Sequence, residues 1–185
     1  MTAHPLSPAS RKLLLLLTRF PGAGSRAVGL LTWSYYTHAS IGLEEDPNTF
    51  YSFVCKGFIV EKINRYLKPD RPPFPCTLYE LEVSEETYQE VKRLLQHFVE
   101  QKDELHYSRL GVALSILRIP YRRKGCYFCS QFVAEVLWRS RAAQLKKSSA
   151  LYLPRDLHQI HGIKIRFCGN LLHMLNQMAP VLCPT

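Results

Sequence analysis

One thiol stands where a nucleophile would be placed. After Cys129 in the run Cys129-Ser130-Gln131-Phe132-Val133, apolar residues fall at Phe132, Val133, Val136 and Leu137. That i+3, i+4, i+7, i+8 spacing predicts an amphipathic helix whose buried stripe is headed by the cysteine. The first turn of a helix has N–H groups without intrahelical partners and carries about half a positive charge. Both favour thiolate over thiol and can receive an oxyanion formed beside it. The backbone N–H groups of Cys129 and Ser130 are the natural donors, and the hydroxyl of Tyr127, two residues upstream, is a further one. The bland alternative is an inert cysteine on a packed face, where free thiols commonly lie.

A thiolate nucleophile needs a base, and His38 is the candidate. In Thr37-His38-Ala39-Ser40-Ile41-Gly42-Leu43 the pattern alternates, with Thr37, Ala39, Ile41 and Leu43 on one face and His38, Ser40 and Gly42 on the other. This predicts a strand with a core-facing side and a side of small residues that leaves room for a ligand around the imidazole. A strand histidine with a helix-initiating cysteine is the arrangement of cysteine hydrolases.

The segments Leu31 to Ile41, Tyr51-Ser52-Phe53, Tyr79 to Val83 and Tyr127 to Leu137 together resemble the permuted NlpC-type papain-like cysteine hydrolases of bacteria. In that family the histidine strand precedes the cysteine helix, as it does here, and the resemblance spans roughly residues 11 to 170. It implies an α+β, circularly permuted papain-like (NlpC-type) fold, with an antiparallel sheet packed against helices. It also implies an amidase or peptidase chemistry in which Cys129 attacks a carbonyl, His38 carries the proton and a thioester forms. By resemblance the third group, which orients the ring, falls near Ser52, where the family's usual histidine or carboxamide is absent; Glu61 and Asn48 are the alternatives. A thiol acyltransferase, like the lecithin retinol acyltransferase relatives that share the permuted order, or a non-catalytic papain-like module binding a small amino compound or peptide would use the same frame.

The remaining features bound these readings. A chain of 185 residues, 46% hydrophobic, is long enough for one domain with a real core. The expected organisation is a tail over 1–10, a single domain over 11–178 and a tail over 179–185. Leu13 to Leu17 is shorter than the ~7–15 apolar residues of a signal-peptide core and reads as a buried strand. No membrane span is expected, and the six scattered cysteines fit a reduced, cytoplasmic protein. Cys126-x-x-Cys129 lacks the second pair a zinc site needs, so no metal or other cofactor is expected. Cys126 could instead trap a sulfenate on Cys129 as a disulfide. The net charge of +9 has a concentration in Arg118, Arg122, Arg123 and Lys124 just before the cysteine helix. Arg122 and Arg123 are therefore candidates for holding an anionic small-molecule or peptide substrate. No nucleic-acid partner is expected, because aromatic residues do not interleave with the basic cluster.

Positioning these residues requires particular elements. Pro21 to Gly24 should break the chain, Ser25 to Leu31 should form a short helix, and 49–54 should pair with the histidine strand as a hairpin. Residues 68–75 read as a proline-rich loop and 77–83 as a strand. Ser84 should cap a helix with a stripe at Tyr88, Val91, Leu94, Leu95, Phe98 and Val99. A second helix is expected over 105–118, a turn or short helix from Pro154, and a last strand over 163–167.

Overall fold

Leu13 to Leu17 are all at most 1% exposed and lie in a strand covered on both faces, so the run is continuous instead of alternating. The computed structural model describes residues 10–20, 29, 34–66 and 74–178. The strands are β1 (Ser10–Thr18), β2 (His38–Leu43), β3 (Thr49–Val54), β4 (Gly57–Lys62), β5 (Pro75–Ser84), β6 (His106–Tyr107), β7 (Cys126–Tyr127) and β8 (Ile163–Asn170). The helices are α1 (Glu85–Glu100), α2 (Arg109–Ile116), α3 (Cys129–Arg139) and α4 (Leu171–Met178). Six strands form one sheet in the order β4-β3-β2-β1-β5-β8, with every neighbouring pair antiparallel. The protein is thus α+β, an antiparallel sheet packed against helices.

Side-chain alternation along the strands builds two cores. On one face Leu13, Leu15, Leu17, Ala39 and Ile41 pack beneath α1 and α3. On the other, Leu14, Leu16, Phe50, Cys76 and Leu78 pack against Leu171 and Met174 of α4. Ser84 caps α1 by accepting the Thr87 N–H at 3.2 Å, and Tyr88, Val91, Leu94, Leu95 and Phe98 are buried as their spacing predicts, with Val99 partly buried beside them. Pro154–Gln159 forms a short 3-10 helix. No helix among the described residues is long and apolar enough to cross a membrane.

Several local expectations need correction. The histidine strand begins only at His38. At Gly42 its small-residue face is filled by protein: a Cβ there would lie 3.0 Å from the Phe50 ring and 2.9 Å from the Thr49 carbonyl oxygen, so the room expected on this face is absent at that end of the strand. The helix expected over 105–118 starts at Arg109, because His106–Tyr107 instead pairs in parallel with Cys126–Tyr127. Strand β4 and helix α4 add to the expected elements. The tails over 1–9 and 179–185, the Pro21–Gly24 break, most of the helix expected over 25–31 and residues 67–73 of the proline-rich stretch lie outside the described residues.

Candidate active site

The position of Cys129 follows from the short parallel bridge. The His106 N–H donates to the Gly125 carbonyl at 2.8 Å and the Ser108 N–H to the Tyr127 carbonyl at 2.9 Å. Both strands then turn directly into helices, α2 at Arg109 and α3 at Cys129. Phe128, extended and 2% exposed, anchors the start of α3. The Gln131 side chain folds back to accept the Phe128 N–H at 3.4 Å. A phenylalanine at the cap position has no oxygen with which to occupy the first-turn N–H groups. Those groups stay available, and the Ser130 amide is directed at the Cys129 sulfur, as is the amide of Ala39 in β2. The Ser130 hydroxyl is itself buried without a hydrogen-bond partner among the described residues.

The ladder between β2 and β3 holds only at Ile41↔Tyr51 and Gly42↔Phe50, whereas β3 and β4 pair from Thr49↔Lys62 to Val54↔Gly57. The backbone of Ala39 is therefore free to serve other groups. Its N–H goes to Cys129, and its carbonyl accepts the Ser52 hydroxyl at 2.6 Å. This corrects the expectation for Ser52: its hydroxyl is committed to the backbone and does not orient the histidine ring.

Glu61 occupies that position. The register Phe50↔Glu61 puts its side chain on the face of the sheet that carries Phe50, Gly42, Ser40 and His38. A Glu61 carboxylate oxygen lies 3.2 Å from His38 Nε2, and its other oxygen accepts the Tyr66 hydroxyl at 2.7 Å. With Nε2 facing Glu61, Nδ1 is the ring nitrogen left for the hydrogen bond to Cys129. Phe20 covers the imidazole, with ring centroids 5.1 Å apart. His38, Glu61 and Cys129 are all buried, at 6%, 7% and 6% exposure.

Burial opposes charge on each group, and the partners outweigh it. Desolvation pushes His38 down, but the Glu61 charge and the Cys129 sulfur bring it up to about 10. Desolvation pushes the Cys129 thiol up, but the His38 hydrogen bond and charge, with the Ala39 and Ser130 amides, hold it below the ordinary thiol range. Desolvation likewise pushes Glu61 up, and His38 and the Tyr66 hydroxyl hold it below the usual carboxylate range. Opposite charges in a low-dielectric setting thus support one another as a carboxylate–imidazolium–thiolate series.

His38 and Cys129 open onto a cleft of about 450 Å³ whose walls include Phe20, Phe53, Tyr107 and Arg109. The Tyr107 phenol lies within the fields of the Cys129 and Cys55 sulfurs; burial, then those sulfurs, push its pKa up, so it keeps its proton. Sequence reasoning passed over Tyr107 and Arg109 by assigning both to one helix. The available signal was Ser108, which caps α2 by accepting the Gly111 N–H at 3.1 Å.

Other candidates lie elsewhere. Asn48 sits in the β2–β3 turn and accepts the Asn64 N–H at 3.0 Å. Tyr127 packs between Phe53 and Phe98, at 5.4 and 5.6 Å, and lines a separate cavity beside Lys124 and Arg139. Arg122 donates to the Ser149 hydroxyl at 2.8 Å and lies 3.4 Å from Glu135, while Arg123 forms a bridge with Cys126; neither lines the cleft. Cys126 and Cys129 are both free thiols, and the second thiol in the cleft is Cys55. No protein-family model matches the chain, and no curated protein matches its sequence.

Proposed function

We propose that the protein is a cysteine-dependent hydrolase of carboxylic amides or esters, built on a circularly permuted papain-like fold of the NlpC type. The observation that carries this reading is the continuous series from Glu61 through His38 to Cys129 at the wall of a cleft. The order of histidine strand before cysteine helix supports the permuted assignment. The Cys129 thiolate attacks the carbonyl carbon, and the resulting oxyanion is received by first-turn N–H groups of α3 and by the Tyr107 hydroxyl. Collapse expels the amine or alcohol, which takes the proton from His38, and leaves a thioester. Water then attacks the thioester and gives a proton back to His38. The carboxylic acid departs and the thiolate–imidazolium pair is restored. Glu61 keeps the ring in register and stabilises its charge. An alcohol or amine in place of that water would make the same thioester an acyl-transfer intermediate.

The test is profiling with acyl electrophiles of varied acyl and leaving groups. The expected result is a covalent adduct on Cys129, with none on the Cys129→Ala protein. Equal labelling of both proteins, with Cys129 unmodified, would leave a cleft that binds without catalysing.

A further inference from the structure

We propose that the cleft selects substrates that join an apolar chain to a carboxylate, and that Arg109 holds the carboxylate. This rests on the hydrolase reading of Cys129 and adds a substrate class to it. The same cavity that exposes Cys129 is walled by Phe20, Phe53, Val54 and Val112, a surface suited to a hydrocarbon chain. Its volume of about 450 Å³ falls within the size of small-molecule sites.

Among the described residues no acidic side chain lines the cavity, and Arg109 is the basic side chain on its wall apart from His38, whose partner Glu61 lies behind the ring. Arg109 forms no ion pair among the described residues, whereas Arg11, Arg93, Arg122 and Arg166 each face a carboxylate. Arg109 and Cys129 line the same cleft, and the charge of each acts on the Tyr107 phenol between the strand pair and the helix start. A guanidinium fork matches a carboxylate through parallel hydrogen bonds, which sets the position of the carbonyl carbon as well as adding attraction. The substrate charge expected at Arg122 and Arg123 is thereby assigned to a residue that lines the same cleft as Cys129.

The test compares iodoacetate with iodoacetamide as alkylating agents for Cys129, because they differ chiefly in one carboxylate. The ratio of their rates, read by mass spectrometry on the intact chain, should fall about three- to fivefold in Arg109→Gln at low salt, the scale of one exposed charge pair. It should be largely kept in Arg109→Lys, and the difference should shrink at 0.5 M salt. Hydrolysis of the mono-p-nitrophenyl ester of glutaric acid against p-nitrophenyl valerate should show the same selectivity, with Arg109→Gln raising KM for the anionic ester alone. An unchanged alkylation ratio in Arg109→Gln, with Cys129 still reactive, would overturn the carboxylate assignment and leave the hydrolase reading intact. Failure of both reagents to modify Cys129 would remove both.

Discussion

Glu61 and Glu135 are buried to nearly the same degree, 7% and 8% exposed, and each gathers a hydroxyl and a cation. Glu61 accepts from Tyr66 and faces His38 at 3.2 Å. Glu135 accepts from Ser149 at 2.5 Å and faces Arg122 at 3.4 Å. The difference lies in the cation. Arg122 is permanently charged, stacks 5.6 Å over Trp138 and ties α3 to the segment around Ser149. His38 can gain and lose a proton, and its second nitrogen serves a thiol that opens into a cleft. A buried carboxylate is therefore a stabiliser or part of a reactive centre according to whether its partner titrates and what that partner touches next.

Replacing each carboxylate by its amide tests the contrast. Removing the Glu61 charge deprives His38 of what holds it up against burial, so the imidazolium should lose its proton at lower pH. Protonation of the leaving group needs that imidazolium, so in the parent protein turnover should fall as pH rises through about 10. In Glu61→Gln this alkaline limb should move downward, and the limb set by Cys129 should move upward as the thiolate loses its counter-charge. Turnover at neutral pH should then fall about tenfold for each unit by which a limb passes pH 7. A pH–rate profile identical to the parent's would reduce Glu61 to a packing residue.

Glu135→Gln should leave both limbs where they are and act on stability. Weakening the contacts to Ser149 and Arg122 should cost about 1–3 kcal/mol in denaturant unfolding. A displaced pH profile in this variant would erase the distinction between the two glutamates.

The smallest effect is expected at Ser52. Ser52→Ala leaves the buried Ala39 carbonyl without its hydroxyl donor, a loss of about 1 kcal/mol, with the His38 titration unmoved. A shift of the histidine proton resonance with pH in Ser52→Ala would return Ser52 to the ring-orienting role that the resemblance implies.

Local pattern reveals parts of this site and conceals others. Cys129 is legible because a helix start and an apolar stripe both declare themselves within a few residues, and β1 because a run of five leucines needs cover on both sides. His38 is legible as a strand residue, but how far the open space on its face extends is not, since Phe50 arrives from the neighbouring strand to fill the gap at Gly42. Glu61 is obscured because a charged residue on a buried face breaks the alternation that would mark β4, and its partner lies beyond an intervening strand. Tyr107 and Arg109 depend on pairing of His106 with Cys126, a contact between distant segments that no periodicity reports.

The most direct measurement is the rate of iodoacetamide alkylation of Cys129 as a function of pH, in the parent and in His38→Ala, with Cys55 followed in the same samples as the other cleft thiol. If Cys129 is held as a thiolate by His38, its alkylation should rise at lower pH than an ordinary thiol's, and ahead of Cys55. In His38→Ala that rise should move to alkaline pH, because burial then acts on the thiol without the imidazolium to oppose it. A Cys129 that is alkylated only at ordinary thiol pH, with the same profile whether or not His38 is present, would contradict the thiolate–imidazolium pair.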